Sequence, residues 1–208
     1  MARTQTTTGG RAATTGVIPG LWALSVGHPD IEAPAGFRWV PLTDVARLES
    51  GHTPSRRRAE YWGGDIPWIG IRDATANHGR IISSTNEYVT QEGIDNSSAR
   101  VLPVGTVCLS RTASVGYVVS MGTSMATSQD FVNWVCGPDL LSRYLHYIFM
   151  AEQESVRRFA YGSVHPTVYF PEVKAFHVCI PNVWEQEAII AVLGALDDKI
   201  AVNERIAS

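Results

Sequence analysis

Three consecutive arginines, Arg56-Arg57-Arg58, follow His52-Thr53-Pro54-Ser55 on a polar, turn-rich stretch. A guanidinium carries a permanent charge and a rigid fork of donors. Beside the hydroxyls of Thr53 and Ser55, such a cluster suits phosphate contacts, and arginine pairs bidentately with the major-groove edge of guanine. The competing reading is a solvated loop with no partner. Arg72, Asn77-His78-Gly79-Arg80 and Ser110-Arg111-Thr112 are similar polar groups. Asparagine and arginine are the side chains that match adenine and guanine edges. Arg72 beside Asp73 also reads as a local ion pair. Tyr161, Ser163 and His165 lie in the turn Ala160-Tyr161-Gly162-Ser163-Val164-His165-Pro166, whose small residues let a backbone approach a ligand. Tyr61-Trp62 and Trp68 read as core or loop anchors rather than base-stacking platforms.

Signatures of covalent chemistry are missing. The chain has no Gly-x-Ser-x-Gly elbow, no Gly-x-x-x-x-Gly-Lys-Ser/Thr phosphate loop and no Gly-x-Gly-x-x-Gly fingerprint. It also lacks the Asn/Asp-Pro-Pro-aromatic segment with which a base methyltransferase holds its target amine. Ser163 and His165 are too close in sequence to make a nucleophile and base by spacing alone. Carboxylates are dispersed, so nothing points to a metal-dependent nuclease. Cys108, Cys136 and Cys179 each sit in an apolar run and read as buried free thiols of a reducing compartment. No Cys-x-x-Cys or His-x-x-x-His spacing supports a metal, and none is expected.

At 208 residues the chain can bury a core of one domain. A net charge of −3 disfavours non-specific coating of nucleic acid but is compatible with a sequence reader that has local positive loops. No apolar run approaches membrane-spanning length. Met1–Gly20 lacks a charged-then-apolar signal pattern, so the expectation is a cytoplasmic protein with no membrane partner.

The elements that position these residues follow from pattern. Residues 1–36, rich in Thr, Gly, Ala and Pro, read as a flexible N-terminal arm, with Leu21, Trp22 and Leu24 able to dock. Strands are predicted at Phe37–Leu42, Ile66–Ile71, Thr106–Ser110, Val115–Val119, Phe131–Cys136 and Lys174–Ile180, with Arg111–Ser114 as a hairpin tip. Thr43 is predicted to cap one helical turn, and Asp139 a helix burying Leu141, Tyr144, Leu145, Ile148 and Phe149. Asn182 with Glu185 forms a capping-box-like start for a last helix. Ile189, Leu193, Leu196, Ile200 and Asn203 then recur at alternating spacings of four and three, which is a coiled-coil seam that wants a partner helix. The predicted fold class is α+β: an irregular, mostly antiparallel sheet with helices over 37–181, followed by a projecting helix over 182–208.

Four segments together resemble the specificity (S) subunit of type I restriction–modification enzymes. They are Gly51-His52-Thr53-Pro54 through Tyr61–Trp68 to Asp73; Leu102–Val107 running to Ser110-Arg111 and Val115-Gly116; Gln129-Asp130-Phe131; and Gly162-Ser163 leading to Pro181, Glu185-Gln186, Leu193, Leu196-Asp197 and Lys199-Ile200. The likeness covers roughly residues 37–206. It implies a target recognition domain over 37–181 and a conserved spacer or dimerisation helix over 182–208. It further implies one half of a split target on double-stranded DNA, and a place in DNA methylation and phage defence. The partners implied are adenine methyltransferase (modification) subunits, which carry S-adenosylmethionine, and a restriction subunit; no cofactor is expected in this chain itself. The chain departs from the complete subunit in having one recognition domain and one shortened helix. The resemblance then implies a half-subunit that forms a homodimer through the last helix, or a piece of a longer protein. A two-fold dimer would read an interrupted palindrome.

The leading expectation is therefore a non-catalytic DNA-sequence reader. DNA contacts are expected from Thr53, Ser55, Arg56, Arg57, Arg58, Arg72, Asn77, His78, Arg80, Ser110, Arg111, Thr112, Tyr161, Ser163 and His165. The alternatives are a self-contained small nuclease and a protein–protein adaptor that does not bind DNA.

Overall fold

The computed structural model of the chain describes residues 16–161 and 165–207. The expected tail Thr6–Gly10 and the candidate Ser163 lie outside the described residues. The strands are β1 (Ile18–Pro19), β2 (Leu24–Val26), β3 (Phe37–Pro41), β4 (Ala46–Ser50), β5 (Trp62–Ile69), β6 (Arg80–Ile82), β7 (Glu87–Val89), β8 (Val107–Ser110), β9 (Val118–Met121), β10 (Ala126–Thr127), β11 (Phe131–Cys136) and β12 (Phe176–Pro181). The α-helices are α1 (Leu42–Val45), α2 (Ile71–Ala76), α3 (Gln91–Asp95), α4 (Ser142–Ala151), α5 (Gln153–Phe159), α6 (Phe170–Lys174) and α7 (Val183–Ala207). The mixed α+β class is as expected. Strand pairing is antiparallel except for β10 with β5 and β6 with β9.

Three sheets carry the architecture: β4-β11-β8-β9-β6, β10-β5-β7 and β1-β2-β12-β3. The first two hold the loops of interest. The third closes the two ends of the domain on each other. β12 pairs with β3 on one side and β2 on the other, so the root of α7 is fixed by strands from the other end of the chain. Phe176, Val178 and Ile180 of β12 alternate into the main core as predicted, against Trp134, Phe149, Phe159, Leu24 and Val26. Two smaller clusters, around Ile69–Phe131 and Trp68–Val89, sit beneath the loop side.

Where expectation and structure differ, long-range contacts explain it. The arm expected over 1–36 does not hold for 18–26, because Leu24–Val26 is a buried strand. Its preceding loop is pinned by Glu152, which is fully buried between α4 and α5. One oxygen of that carboxylate accepts the backbone N–H groups of Trp22, Ala23 and Leu24, and the other accepts that of Leu21 and the Ser155 hydroxyl. Asp139 does not cap α4, which begins three residues later; Gln186 bonds to the Asp139 carbonyl and the Leu141 N–H instead. Thr43 lies inside α1 and makes no cap. At α7, Asn182 accepts the Glu185 N–H at 3.0 Å, as predicted, while the return bond of the box joins the two side chains rather than the Asn182 backbone. Among the described residues, no helix is long and apolar enough to cross a membrane.

Candidate nucleic-acid interface

One cleft gathers several of the predicted residues. It has a volume of about 600 Å³ and lies between the loop after β4, the turn from β5 into α2, and the polar run after β10. Thr53, Arg56, Arg72, Glu87, Gln129 and Asp130 are among the residues that line it. Its walls come together because Gly51 has no side chain: a Cβ there would stand 1.8 Å from the Ser128 carbonyl oxygen. Beside it His52 N–H bonds to the Thr127 carbonyl at 2.9 Å, and the Thr53 hydroxyl donates to Gln129 Oε1.

The floor is set by Asp73, which is buried at 4% exposure. Its carboxylate accepts the Gly70 N–H at 2.9 Å and two donors of Asn86, the backbone N–H at 2.8 Å and Nδ2 at 2.7 Å. The ion pair expected between Arg72 and Asp73 is absent because these donors occupy Asp73. Arg72 is left exposed on the first turn of α2, facing the cleft.

The three consecutive arginines separate by role. Arg56 lies with its guanidinium 3.8 Å from the Trp62 ring centroid and 5.0 Å from that of Trp68, and forms a two-pronged pair with Glu87. The hydrogen bond to Glu87 raises the Arg56 pKa, and the same bond, with a smaller pull from the charge of Arg72, holds Glu87 below the usual carboxylate range. Arg58 pairs with Glu60 at 3.3 Å. Arg57 and Ser55 are exposed, and Arg57 makes no ion pair with any described residue. Trp62 and Trp68 meet edge to face at 5.2 Å and donate their ring N–H groups to the Ser55 and His52 carbonyls. Both are anchors of the loop, as predicted.

A second group lies across Asp130. The Arg111 N–H bonds to the Asp130 carbonyl at 2.8 Å, so the 110–114 loop abuts the cleft. Arg111 itself lies half-buried over the Phe170 ring; burial lowers its pKa, and the charges of Asp130 and Tyr169 oppose that. The Thr112 hydroxyl meets that of Thr167 at 2.8 Å, and Tyr161 pairs with Thr167 through the backbone. His165 is exposed on the same loop. Ser110 is fully buried: its hydroxyl donates to the Ser114 carbonyl and accepts the Tyr117 N–H, which fixes the hairpin tip. It is unavailable to DNA without unfolding that tip.

Asn77, His78 and Arg80 sit apart, at the far end of α2 and towards α7. Asn77 ends α2 by donating to the Asp73 carbonyl. His78 accepts the Val118 N–H at 3.1 Å and contacts Gln153 and Tyr117; burial, before any other influence, lowers its pKa. Both have structural employment that sequence spacing did not show. Arg80 is exposed at the start of β6, near α7. The cleft residues absent from the expected contacts are Asn86, Glu87, Gln129 and Asp130, although Gln129-Asp130 was among the segments that carried the resemblance. The polar run Thr127–Asp130 between two strand patterns was the available signal.

The last helix is rooted and then free. Gln186 is buried, while Ile189 and Ile190 pack on the main core. Of the predicted seam, Ile189 and Leu193 are half-buried, whereas Leu196, Ile200 and Asn203 are exposed. Trp184, Val192, Val202 and Ile206 extend the exposed apolar surface.

Comparison with known proteins gives these features a context. A profile for the Type I restriction modification DNA specificity domain matches residues 34–208. The specificity subunit of the type I restriction enzyme MjaIX from Methanocaldococcus jannaschii is 31% identical over 182 residues, covering 86% of this chain and 42% of that protein. The HsdS subunit from Thermoanaerobacter tengcongensis shares the fold with a TM-score of 0.65 at 19% identity, over 87% of this chain and 42% of its own. A chain from a structure concerned with complex assembly and conformational transition of the type I R-M system gives 0.66 at 20% identity, over 87% of this chain and 43% of its own. The chain thus spans less than half the length of these relatives. Fold, matched residues and relatives agree: this chain belongs to the type I restriction modification DNA specificity domain family.

Proposed function

We propose that residues 37–181 read one half of a split double-stranded DNA target, and that the chain makes and breaks no bonds itself. The adenine methyltransferase subunits, with their S-adenosylmethionine, and a restriction subunit are its partners in this reading, and the assembly is cytoplasmic. The helix from 182 onward joins the reader to a second such unit, either another copy of this chain or the other half of a longer one. The observation that carries the proposal is the convergence of Thr53, Arg72, Gln129 and Asp130 from three separate segments on one cleft. Groups of mixed donor and acceptor character on a rigid floor suit base edges, while Arg57 and Arg72, exposed and outside any ion pair among the described residues, suit phosphates.

The scaffold roles found for Ser110, Asn77, His78 and Arg56 narrow the contact set. Base or phosphate contacts are assigned to Thr53, Ser55, Arg57, Arg72, Gln129, Arg111, Thr112 and His165. A gel-shift series with the methyltransferase partner, across a library of split duplexes, tests the proposal. One half-site should be preferred, with affinity falling steeply with salt. Equal affinity for every duplex refutes it, and so does DNA cleavage by the chain alone with magnesium.

A further inference from the structure

Asn86 ends the loop between β6 and β7. It lines both the cleft described above and a smaller one of about 320 Å³ that Trp62, Gly63 and Gly64 also border. Its side chain is exposed, yet the loop beneath it is held at three consecutive residues. The Thr85 hydroxyl accepts the Trp68 N–H at 3.1 Å and donates to the Glu87 carbonyl at 2.7 Å. The Asn86 backbone N–H and its side-chain Nδ2 both donate to one oxygen of Asp73, at 2.8 and 2.7 Å. Glu87 is paired with Arg56, whose guanidinium lies over the Trp62 ring. Asp73 is itself buried and tied to the Gly70 N–H at the start of α2. An exposed amide therefore stands on a rigid support. A side chain ordered in advance loses little freedom on binding, which is what a contact that discriminates between ligands needs.

The bond to Asp73 also decides which way round the amide faces. Turned over, Oδ1 would meet a carboxylate oxygen at 2.7 Å with no hydrogen between them. The same Asp73 oxygen takes the Asn86 backbone N–H, so it lies on the main-chain side of the amide and takes the Nδ2 hydrogen that faces that side. The second Nδ2 hydrogen, beside Oδ1 on the outer edge, and Oδ1 itself have no partner among the described residues. Asn86 thus offers one donor and one acceptor, side by side in a plane. In the major groove adenine presents an acceptor, N7, next to a donor, N6–H. Guanine presents two acceptors, N7 and O6, and each pyrimidine a single polar group. We infer that Asn86 is a specificity-determining residue that pairs bidentately with one adenine of the half-site and rejects guanine at that position. The inference rests on the proposed reading of a split target. Arg72, exposed at the same cleft, is placed to meet an adjoining phosphate. Asn86 also lies outside the four segments that carry the family resemblance, as suits a residue that sets one chain's own target.

The test uses the full chain with its methyltransferase partner and duplexes randomised within the half-site. Asn86→Ala should relax one position at which the unaltered protein selects adenine, with the preference for adenine over guanine there falling about tenfold and every other position unchanged. That position is then filled with adenine or with 7-deazaadenine, which carries C–H in place of N7. The analogue should weaken binding by the unaltered protein about fivefold and binding by Asn86→Ala not at all. A merely structural role for Asn86 gives no such coupling. Thermal unfolding confirms that the variant folds; Asn86→Ser, which keeps a hydroxyl beside Asp73 but has no amide to pair with a base, carries the test if it does not. The inference is overturned if all positions relax together, if the relaxed position held a base other than adenine, or if the analogue weakens both proteins equally. An unaltered protein indifferent to half-site sequence removes the reading on which the inference rests; a selective protein whose variants keep all its preferences removes the inference alone.

Discussion

Replacing Glu152 with alanine should strongly destabilise the domain while leaving the candidate DNA face untouched. The carboxylate is fully buried and accepts four backbone N–H groups, from Leu21 to Leu24, plus the Ser155 hydroxyl. Hydrogen bonds to a charged group contribute about 1.5–3 kcal/mol each, but they are not additive when one group makes them all. The freed loop can also solvate part of its own backbone. A net loss of about 3–5 kcal/mol is expected, the range for removing one partner of a buried charged network. For a chain of this size that lowers Tm by roughly 10 °C. Glu152→Gln separates charge from geometry. Its remaining oxygen can still accept from Trp22, Ala23 and Leu24, while its amino group faces the Leu21 N–H, so about 1–2 kcal/mol is expected. Urea unfolding measures both losses, and amide exchange reports the loop, where Leu21–Leu24 should lose protection before the core. If Glu152→Ala unfolds within about 1 kcal/mol of the unaltered chain, or the four amides stay protected, the loop is held by something other than this carboxylate.

Further outcomes follow from the site. Arg57→Glu and Arg72→Glu, each exposed and outside any ion pair among the described residues, should weaken DNA binding by the assembled complex and lower its salt slope by about one per lost phosphate contact, read by titration at several salt concentrations. Ser110→Ala should cost about 1–2 kcal/mol of stability, because a buried pair of hydrogen bonds in the hairpin tip is lost, yet leave half-site preference unchanged. His146, whose pKa burial pushes down to about 4, gives a pH signature. Its unfolded value is about 6.5, so the unfolded chain binds the proton first: its contribution is whole above pH ~6.5 and declines as pH falls towards 4, by up to ~3 kcal/mol. His146→Asn should flatten the pH dependence of unfolding in that window, and an unchanged slope would refute the assignment. On the proposal that α7 joins two copies of this chain, Ile200→Glu, on its exposed end, should abolish self-association in sedimentation while sparing the fold.

What the sequence determined by itself was local. The last helix was legible because Asn182 and Glu185 lie three apart and its apolar residues repeat at helical spacing; both signals act within one or two turns. The hairpin around Arg111–Ser114 and the alternation into β12 were legible for the same reason: a strand states its two faces residue by residue. The proposed class of chemistry also came from residue types, since arginines and hydroxyls on turns can serve a binding surface. What only the tertiary structure decided was partnership. Glu87 claims Arg56 from 31 residues away, Gln129 claims Thr53 from 76, and Glu152 turns part of an apparent arm into a sheet strand from about 130. Ser110 and His78 look like surface residues in the sequence and become scaffold only because Tyr117 and Val118 deliver N–H groups to them. A side chain's type fixes which bonds it can make, but which bond it makes depends on which distant backbone the fold brings within 3 Å. That choice separates Arg57 and Arg72, left open to solvent, from the neighbours that the fold employs to hold itself together.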